Sequence, residues 1–387
     1  MKNITALKKT AYGLILYMFC LILCSCAGEN AGKDTEETGR DVSLKYATQF
    51  EITHYENGYK LIHISDGSDY VVVPPGKEDD NLGVSGAVII HEAPENIYLA
   101  ASSAMDLFVK LDALDNIGTC STAASDYTIE EAREKIESDE IRYIGKYRSP
   151  DYEILLESEC DLAIESTMIT HSPEIKEEIE RLGIPVLTER SSYEKHPLGR
   201  LEWIKLYGAI LGKEEEAEAF FDREEEKVLK VLEELDEQKD TGYSSPKVAF
   251  FYVSPNGYIN IRKPGDYVST MIEMAGGSYV FDGVTDESGN ALSTMNLDWE
   301  EFYEKAVEAD ILIYSGTIDG GIESRGELID KNELFNDFKA VKTGNVFCSN
   351  SDMFQCTSLV ADMIVELHDI INDNDTDDLR FIKKLKD

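Results

Sequence analysis

Two stretches of the sequence repeat one pattern and decide the fold: Cys160–Glu165, which reads CDLAIE, and Ala309–Tyr314, which reads ADILIY. Each stretch follows a predicted helix, over Asp151–Ser158 in the first case and Trp299–Glu308 in the second. In both, an acidic residue precedes an apolar run of strand length, and a loop follows. We interpret this repetition as an internal duplication of an α/β unit. Ligands of open α/β sheets lie beyond the carboxyl ends of the strands, so two such ends that face each other predict a cleft.

Apolar strands alternate with amphipathic helices on both sides of these stretches. This alternation is typical of mainly parallel sheets that are covered by helices on both faces. Ser102 or Ser103 is the expected N-cap of the first helix. The predicted strands are Ala87–Ile90, Ile97–Ala100, Ile141–Ile144, Asp161–Ile164, Pro185–Thr188, Lys247–Val253, Tyr279–Phe281, Asp310–Tyr314 and Val346–Cys348. The predicted helices are Ser102–Leu114, Pro150–Ser158, Ser172–Leu182, Gly265–Ala275, Trp299–Glu308 and Cys356–Ile370.

Two further segments complete the organisation of the chain. Pro197–Gln238 is largely helical and amphipathic in its second part, with an interruption near Gly212, and we expect it to connect the two halves. Residues 43–85 predict a small antiparallel β module, because short β-type stretches are separated by the turn signals Asn57-Gly58 and Asp66-Gly67.

The predicted fold class is therefore α/β. Two α/β lobes with mainly parallel sheets are joined by a long helix, the ligand cleft lies between the lobes, and a small antiparallel β module precedes them. The predicted segments are residues 1–25 (signal peptide), 26–42 (lipidated Cys and flexible tether), 43–85 (β module), 86–196 (N-terminal lobe), 197–240 (connecting helical segment) and 241–387 (C-terminal lobe).

The N-terminus has the layout of an export signal. Lys2, Lys8 and Lys9 precede an uncharged, mostly apolar run over Thr10–Cys24, which is shorter than an untilted spanning helix. The run ends in Leu-Cys-Ser-Cys, which resembles the lipobox of bacterial lipoproteins. That resemblance implies that Cys26 is diacylated after cleavage and that two acyl chains anchor the protein to the outer face of the cell membrane.

The charge balance and the motifs narrow the classes of function. The 76 Asp and Glu residues against 37 Lys and Arg give a formal net charge of −39 at pH 7. This excludes nucleic acid as a partner, because phosphate binding needs clustered Lys and Arg. The sequence contains neither a G-x-S-x-G elbow, a Walker loop, a G-x-G-x-x-G turn nor a metalloprotease helix. A secreted enzyme on the same architecture stays as an alternative, without a catalytic residue to name.

The order of several motifs resembles the helical-backbone substrate-binding proteins of ABC importers, which serve siderophore, haem and cobalamin uptake. The resemblance covers roughly residues 86–373 and implies a monomeric, non-enzymatic receptor with no cofactor, whose partners are a permease and its ATPase. Its marks are Ser149–Leu156 followed by Asp161–Ile164, then His196–Lys205, Met274–Gly277 and Trp299–Tyr303.

Members of this family dock on the permease through one acidic residue per lobe, each in an Arg-lined pocket. The resemblance assigns these roles to Glu153 and Glu300. Because the second helix is longer before Asp310, Glu301 is the substitute for Glu300.

The expected ligand is an iron chelate of the siderophore type; haem or a corrinoid is the alternative. Such chelates need aromatic planes, fixed polar donors and, when anionic, Arg. A relative that binds Zn²⁺ or Mn²⁺ directly would supply three His and an acid, and here only His171 and His196 lie near suitable loops, so we predict no metal site on the protein itself. The candidate ligand-binding residues, all on loops that leave strand ends or close to them, are Ser102, Ser103, Tyr147, Arg148, Thr167, Met168, Arg190, Tyr193, Tyr258, Arg262 and Tyr314.

Overall fold

Three β-sheets and a buried helix organise the chain in the computed structural model, which describes residues 39–239, 242–285, 293–373 and 379–387. The predictions on the signal peptide, on Cys26 and on residues 27–38 of the tether lie outside these ranges. The N-terminal sheet runs β1-β2-β3-β4-β5, and its strands are β1 (Gly39–Asp41), β2 (Phe50–Tyr55), β3 (Lys60–Ile64), β4 (Asp69–Val73) and β5 (Val88–His91).

The first-lobe sheet is parallel throughout, in the order β10-β9-β6-β7-β8. Its all-parallel pairing agrees with the prediction, because each strand is reached by a crossover that carries helical turns. The strands are β6 (Ile97–Leu99), β7 (Ile117–Cys120), β8 (Arg142–Tyr143), β9 (Leu162–Ser166) and β10 (Val186–Glu189).

The second-lobe sheet has a parallel centre and antiparallel edges. It runs β14-β12-β11-β15-β16-β17, and β13 also pairs with β11. β11, β15 and β16 are mutually parallel, whereas β12, β14 and β17 join antiparallel. The strands are β11 (Lys247–Val253), β12 (Ile259–Arg262), β13 (Ser278–Tyr279), β14 (Thr294–Leu297), β15 (Ile311–Ser315), β16 (Val346–Ser349) and β17 (Ile382–Lys384).

The helices lie between these strands. The α-helices are Met105–Lys110, Glu130–Glu137, Tyr152–Glu157, Pro173–Arg181, Pro197–Leu211, Glu214–Lys239, Tyr267–Met274, Trp299–Ala306, Arg325–Lys331, Lys339–Thr343, Asp352–Gln355 and Val360–Ile371. Single 3₁₀ turns occupy Ser102–Ala104, Leu114–Asn116, Ala124–Asp126, Thr167–His171, Ser191–Tyr193, Glu333–Asp337 and Thr357–Leu359.

The helix Pro197–Leu211, here called the core helix, is buried along its whole length. Proline occupies its first position, where no N–H is needed, and the His196 ring accepts from the Leu198 N–H at 3.2 Å. It ends at Gly212, whose φ of 67° is left-handed, and the helix Glu214–Lys239 folds back against it. The predicted interruption near Gly212 is confirmed, and the connecting segment is thus a pair of helices.

Gly208 allows that close return. A Cβ atom on this residue would lie 2.7 Å from the Ala217 Cβ and 3.0 Å from the Lys213 carbonyl oxygen, so a larger residue would force the two helices apart.

The two lobes repeat hydrogen bonds as well as sequence. Asp161, just before β9, accepts from the Glu95 and Asn96 N–H groups at the start of the neighbouring β6. Asp310, just before β15, accepts in the same way from the Lys247 N–H at the start of β11, at 2.7 Å. The acid of the repeated pattern therefore fixes two parallel neighbours in register, which supports an internal duplication.

Several sequence predictions differ from the structure. The strand expected at Ala87–Ile90 pairs with β4 of the N-terminal sheet, so it lies outside the first-lobe sheet and its parallel pairing makes the β module mixed. The helix expected over Ser102–Leu114 ends at Lys110, and its two serines lie in a 3₁₀ turn without a side-chain cap bond. The strands that the sequence missed are short: β1, β7, β12, β14 and β17. The helix Glu130–Glu137 was missed as well.

Two buried carboxylates hold the N-terminal β module on the core helix. Glu202 accepts from the backbone N–H groups of Lys45, Tyr46 and Ala47, at 2.8–3.1 Å. Glu194 accepts from the N–H groups of Thr48 and Gln49. Five consecutive backbone donors are thus satisfied by side chains of the segment that carries the core helix, which explains how an irregular, partly exposed chain is held there.

We expect Glu202→Ala to destabilise the protein by about 3–5 kcal/mol, because three backbone donors lose their buried acceptor and the buried Lys205, 3.1 Å from this carboxylate, loses a partner. Urea unfolding of the purified chain measures this loss. Glu218→Ala, which removes the half-exposed second partner of Lys205, is the matched control and should cost less than about 1 kcal/mol. Equal losses in the two variants would contradict this account.

Candidate ligand cleft

A cavity of about 810 Å³ lies between the two lobes. Its first-lobe wall is the loop Ser125–Thr128, which follows β7. Its second-lobe walls are the carboxyl ends of β11 and β15, the strand β12 and the segment after β16. The cavity therefore lies where the duplication predicts a ligand, beyond the carboxyl ends of parallel strands from both halves.

Arg262 is the cationic residue among the cavity walls that the structure describes. Its guanidinium is buried and lies 3.7 Å from the Asp266 carboxylate, while Nη1 donates to the Ser293 hydroxyl at 3.0 Å. The Phe354 and Tyr267 rings lie against the guanidinium, with centroids 4.6 and 5.2 Å from its central carbon. Stacking and pairing of this kind hold the guanidinium plane in one orientation at the cavity wall.

The remaining walls are mostly aromatic rings and neutral polar groups. Hydroxyl groups outnumber charged groups, and Asn260 donates to the Asn296 side chain at 3.0 Å across the floor. Apart from Arg262, the sequence does not predict the wall residues of the loop after β7 and those of β12 and β14, because these short strands are themselves not predicted; the other wall residues lie in or after strands that are predicted. The aromatic members are Tyr127, Phe250, Phe251, Tyr252 and Phe354, and the hydroxyl members are Ser125, Thr128, Ser254, Ser293, Thr294, Ser315, Thr317 and Ser351.

Of the eleven candidate ligand-binding residues, Arg262 lines this cavity. The eight first-lobe candidates lie outside its described walls. Arg190 turns towards the N-terminal sheet, where its Nε contacts Ser65 Oγ at 3.1 Å and Gln49 Oε1 at 3.3 Å, and its guanidinium stacks on Tyr193. The reason is strand order: these two residues follow β10, at the edge of the sheet away from β7.

The other first-lobe candidates follow the carboxyl ends of β6, β8 and β9 in the same sheet. Arg148 is exposed and donates to the Tyr147 hydroxyl at 2.7 Å. Thr167 shares a hydrogen bond with Ser192, next to the exposed Met168. Ser102 and Ser103 lie in the 3₁₀ turn after β6, and the Ser103 carbonyl accepts from Thr357 of the second lobe. These residues surround the first-lobe strand ends, and their contact with a ligand stays a prediction.

Of the second-lobe candidates outside the cavity walls, one is exposed and one is buried. Tyr258 is 55% exposed in the turn between β11 and β12. Tyr314 is fully buried in β15 and donates to the Asp319 carboxylate at 2.7 Å, so its hydroxyl is engaged beneath the cavity.

Gln355 joins the two lobes at the edge of the cavity. Its side-chain oxygen accepts from the N–H of Thr128 at 2.9 Å and from the hydroxyl of Thr128 at 3.2 Å. Its side-chain nitrogen donates to the Asp126 carbonyl oxygen at 2.7 Å. One second-lobe side chain thus holds the first-lobe loop that forms the opposite wall.

Glu165 in β9 is fully buried, and neither of its carboxyl oxygens has a hydrogen-bond partner among the described residues. It occupies the position in the repeat that Tyr314 occupies in the second lobe. Burial raises the pKa of Glu165 to about 8 from its usual 4.5, so the carboxyl group binds a proton in the folded protein at neutral pH.

The three docking candidates lie at the starts of two helices with the same cap. Asp151 accepts from the Glu153 N–H at 3.0 Å, and Asp298 accepts from the Glu301 N–H at 2.9 Å. Counted from the capping Asp, Glu153 and Glu300 occupy the same second helical position, and both are exposed. Glu301 is one residue further on and partly buried. Counting from the caps therefore aligns Glu300 with Glu153. The sequence alone leaves this alignment open, because the second helix has extra residues before Asp310.

The fold and the cleft define a two-lobed α/β binding protein, and comparison with known proteins assigns its family. A family model described as periplasmic binding protein matches residues 98–352. The chain therefore belongs to the periplasmic binding protein family, a family of solute-binding proteins that are not enzymes.

Two similar proteins of known sequence are lipoproteins of Methanocaldococcus jannaschii. The uncharacterised lipoprotein MJ0872 is 25% identical over 357 residues, which cover 89% of this chain and 87% of that protein. The uncharacterised lipoprotein MJ0878 is 29% identical over 187 residues, which cover 48% of this chain and 42% of that protein. The match to MJ0878 thus spans less than half of its length.

Solved structures share the fold at low sequence identity. A periplasmic haem-binding protein from Pseudomonas aeruginosa has a TM-score of 0.59 and 16% identity, with 76% of this chain and 99% of that chain covered. The petrobactin-binding protein YclQ from Bacillus subtilis also has a TM-score of 0.59, at 14% identity, with 86% and 99% covered.

The described residues lack both a membrane-spanning helix and a cluster of metal-ligating side chains. Within residues 39–239, 242–285, 293–373 and 379–387, no helix has the length and apolar character to cross a bilayer. In the same ranges, no three His, Cys, Asp or Glu side chains gather as metal ligands would.

The protonated Glu165 predicts a stability that falls as the pH rises. The folded chain retains a proton that the unfolded chain releases near pH 4.5, so roughly 3–4 kcal/mol of stability should be lost between pH 4.5 and pH 8. Glu165→Gln should remove most of this pH dependence and be the more stable form at pH 8. Urea unfolding of both forms at pH 4.5 and pH 8 measures this difference in stability. Glu177→Gln, at an exposed residue, is the control. A pH dependence that Glu165→Gln leaves unchanged would refute the assignment.

The Gln355 bridge predicts a local change in amide exchange. Gln355→Ala removes the three hydrogen bonds that this side chain makes to the first lobe, so the Thr128 amide should exchange roughly tenfold faster or more. Hydrogen exchange followed by mass spectrometry measures it. Asn336→Ala, which breaks a hydrogen bond inside the second lobe, should leave this amide unchanged. Equal effects of the two variants would argue against a bridge between the lobes.

Proposed function

We propose that this protein is an extracytoplasmic lipoprotein that captures an iron chelate and delivers it to the permease of an ABC importer. The observation that carries the proposal is the cavity between two duplicated lobes, with walls of aromatic rings, neutral polar groups and one oriented Arg. Such a lining buries a compact organic ligand and fixes its orientation. Family membership supports a receptor, and the fold is shared with proteins whose names record haem or petrobactin binding.

The anchor is the acylated Cys26. The lipobox pattern in the sequence supports it, as do relatives that are themselves called lipoproteins. The predicted tether would then end at residue 38, because Gly39–Asp41 form β1 of the N-terminal sheet, and it would let the folded body reach the permease from the outer face of the membrane. The partners would be that permease and its ATPase.

Docking would use Glu153 on the first lobe and Glu300 on the second. Both are exposed, and both follow an Asp cap by two residues, so the two lobes would present carboxylates in equivalent positions. An exposed carboxylate on a short, capped helix can enter an Arg-lined pocket without a large loss of conformational entropy.

Haem or a corrinoid is the alternative ligand, and the aromatic walls favour it as a second candidate. Tyr127 and Tyr252 bring aromatic faces to opposite sides of the cavity, from the first and the second lobe. A planar macrocycle would stack on such faces.

Binding is tested by fluorescence titration of the purified full chain in detergent with ferric siderophores, haemin and cobalamin. Trp203 is fully buried in the core helix, whereas the Trp299 indole donates to the Gly257 carbonyl in the turn beside the cavity, at 2.8 Å. Trp299 is therefore the expected reporter, and Trp299→Phe should abolish the signal but not the heat of binding. Absence of heat with every ligand would end the proposal.

Charge reversal tests docking. Glu153→Arg and Glu300→Arg should each lower uptake by whole cells roughly tenfold or more, because a repelled cation replaces a paired carboxylate at the interface. Ligand binding by the purified variants should stay unchanged.

Exposed acids on the same helices serve as controls, Glu157→Arg for the first lobe and Glu304→Arg for the second. Uptake that survives Glu153→Arg would disprove the first docking site. If uptake is retained with Glu300→Arg and lost with Glu301→Arg, the second docking residue is Glu301 instead of Glu300.

A further inference from the structure

The charges around the cavity select among the chelates that the proposed function allows. Two charged residues line its described walls, Arg262 and Asp126. The guanidinium is already engaged by Asp266 and Ser293 and by two rings. Asp126 is exposed on the opposite, first-lobe wall, where the Ser125 hydroxyl donates to it at 3.3 Å. Carboxylates therefore outnumber the guanidinium around the cavity.

The acidity of the whole chain adds to this negative potential. The whole chain carries a formal charge of −39. Salt screens distant charges beyond a Debye length of about 8–10 Å, so the carboxylate of Asp126, which lines the cavity, acts more strongly on a bound ligand than the distant acids do.

The neutral part of the lining has its own chemical preference. Serine and threonine hydroxyls and the side-chain amides of Asn260, Asn296 and Gln355 donate to carbonyl-type oxygens as readily as they accept. The rings of Tyr252 and Phe354 offer apolar surface between them. These groups match a ligand with amide and hydroxamate oxygens on a hydrocarbon framework, and they supply no excess positive charge.

We infer that the cavity takes a ferric chelate whose net charge is neutral or positive, of the trihydroxamate class, and discriminates against polyanionic tricatecholate chelates. This inference rests on the proposed receptor function and specifies its ligand. Three hydroxamates each carry one negative charge and balance Fe³⁺, whereas three catecholates leave the complex with a negative excess. A polyanion in this cavity would meet the carboxylate of Asp126 and the guanidinium of Arg262, which Asp266 already pairs.

The test is calorimetric titration of the purified full chain with four probes. Ferrichrome is a neutral trihydroxamate complex, and ferrioxamine B is a trihydroxamate complex that carries an additional ammonium group. The other two probes are ferric enterobactin, which is a tricatecholate complex, and haemin. We expect both trihydroxamate complexes to bind at least about tenfold more tightly than ferric enterobactin and haemin. Added salt should weaken ferrioxamine B and leave ferrichrome unchanged, because only the former carries a net charge.

Two isosteric variants separate the local carboxylate from the overall charge. Asp126→Asn should weaken ferrioxamine B severalfold and leave ferrichrome unchanged. Asp337→Asn changes the net charge of the chain equally at an exposed site outside the cavity walls, and it should affect neither complex.

The outcomes distinguish this inference from the function on which it rests. Tighter binding of ferric enterobactin or haemin overturns the inference and leaves the receptor function standing. Equal effects of Asp126→Asn and Asp337→Asn overturn the role of the cavity wall. Absence of binding by all four probes removes the chelate-receptor function and the inference with it.

Discussion

The buried core helix Pro197–Leu211 is the element on which the rest of the structure depends. It contacts Met105–Lys110 of the first lobe and both Tyr267–Met274 and Val360–Ile371 of the second, and through Glu202 it holds the N-terminal segment. This helix is buried on every side, and its charged side chains Glu202 and Lys205 are paired within the core. Each lobe therefore buries one face against the core helix, and the position of the cavity follows from the packing of both lobes on this helix.

The sequence predicts those features that local chemistry determines. The acid that precedes a strand in Asp161 and Asp310 marks equivalent places because the same side chain closes the same hydrogen bond in both halves. Turns such as Asn57-Gly58 can be predicted because a tight hairpin turn needs a residue with positive φ, which glycine adopts readily; Gly58 has a φ of 93°. Strand order is different, since it depends on contacts between segments that are distant in sequence. Arg190 and Tyr193 therefore looked like cleft residues, although β10 lies at the edge next to the N-terminal sheet.

Most cavity residues were missed for a related reason. β7 reads Ile-Gly-Thr-Cys, which has neither the length nor the apolar run of the strands that were recognised, yet the loop after it forms the first-lobe wall. Arg262 was found because a cation is conspicuous in so acidic a chain. Its neighbours Tyr267 and Phe354 come from two helices, and only the folded chain brings them to the guanidinium. The sequence therefore predicts the positive charge of Arg262, but it does not predict the orientation of the guanidinium, which depends on rings from two other segments.

The second lobe links the cleft to its outer helix by a short physical path. The Trp299 indole, next to the exposed Glu300, donates to the Gly257 carbonyl in the turn between β11 and β12. In the same turn, the Ser254 N–H donates to the Tyr258 carbonyl, and Ser254 also lines the cavity. A ligand that pulls on this turn would therefore act on the start of the helix that carries Glu300, without a hinge through the core.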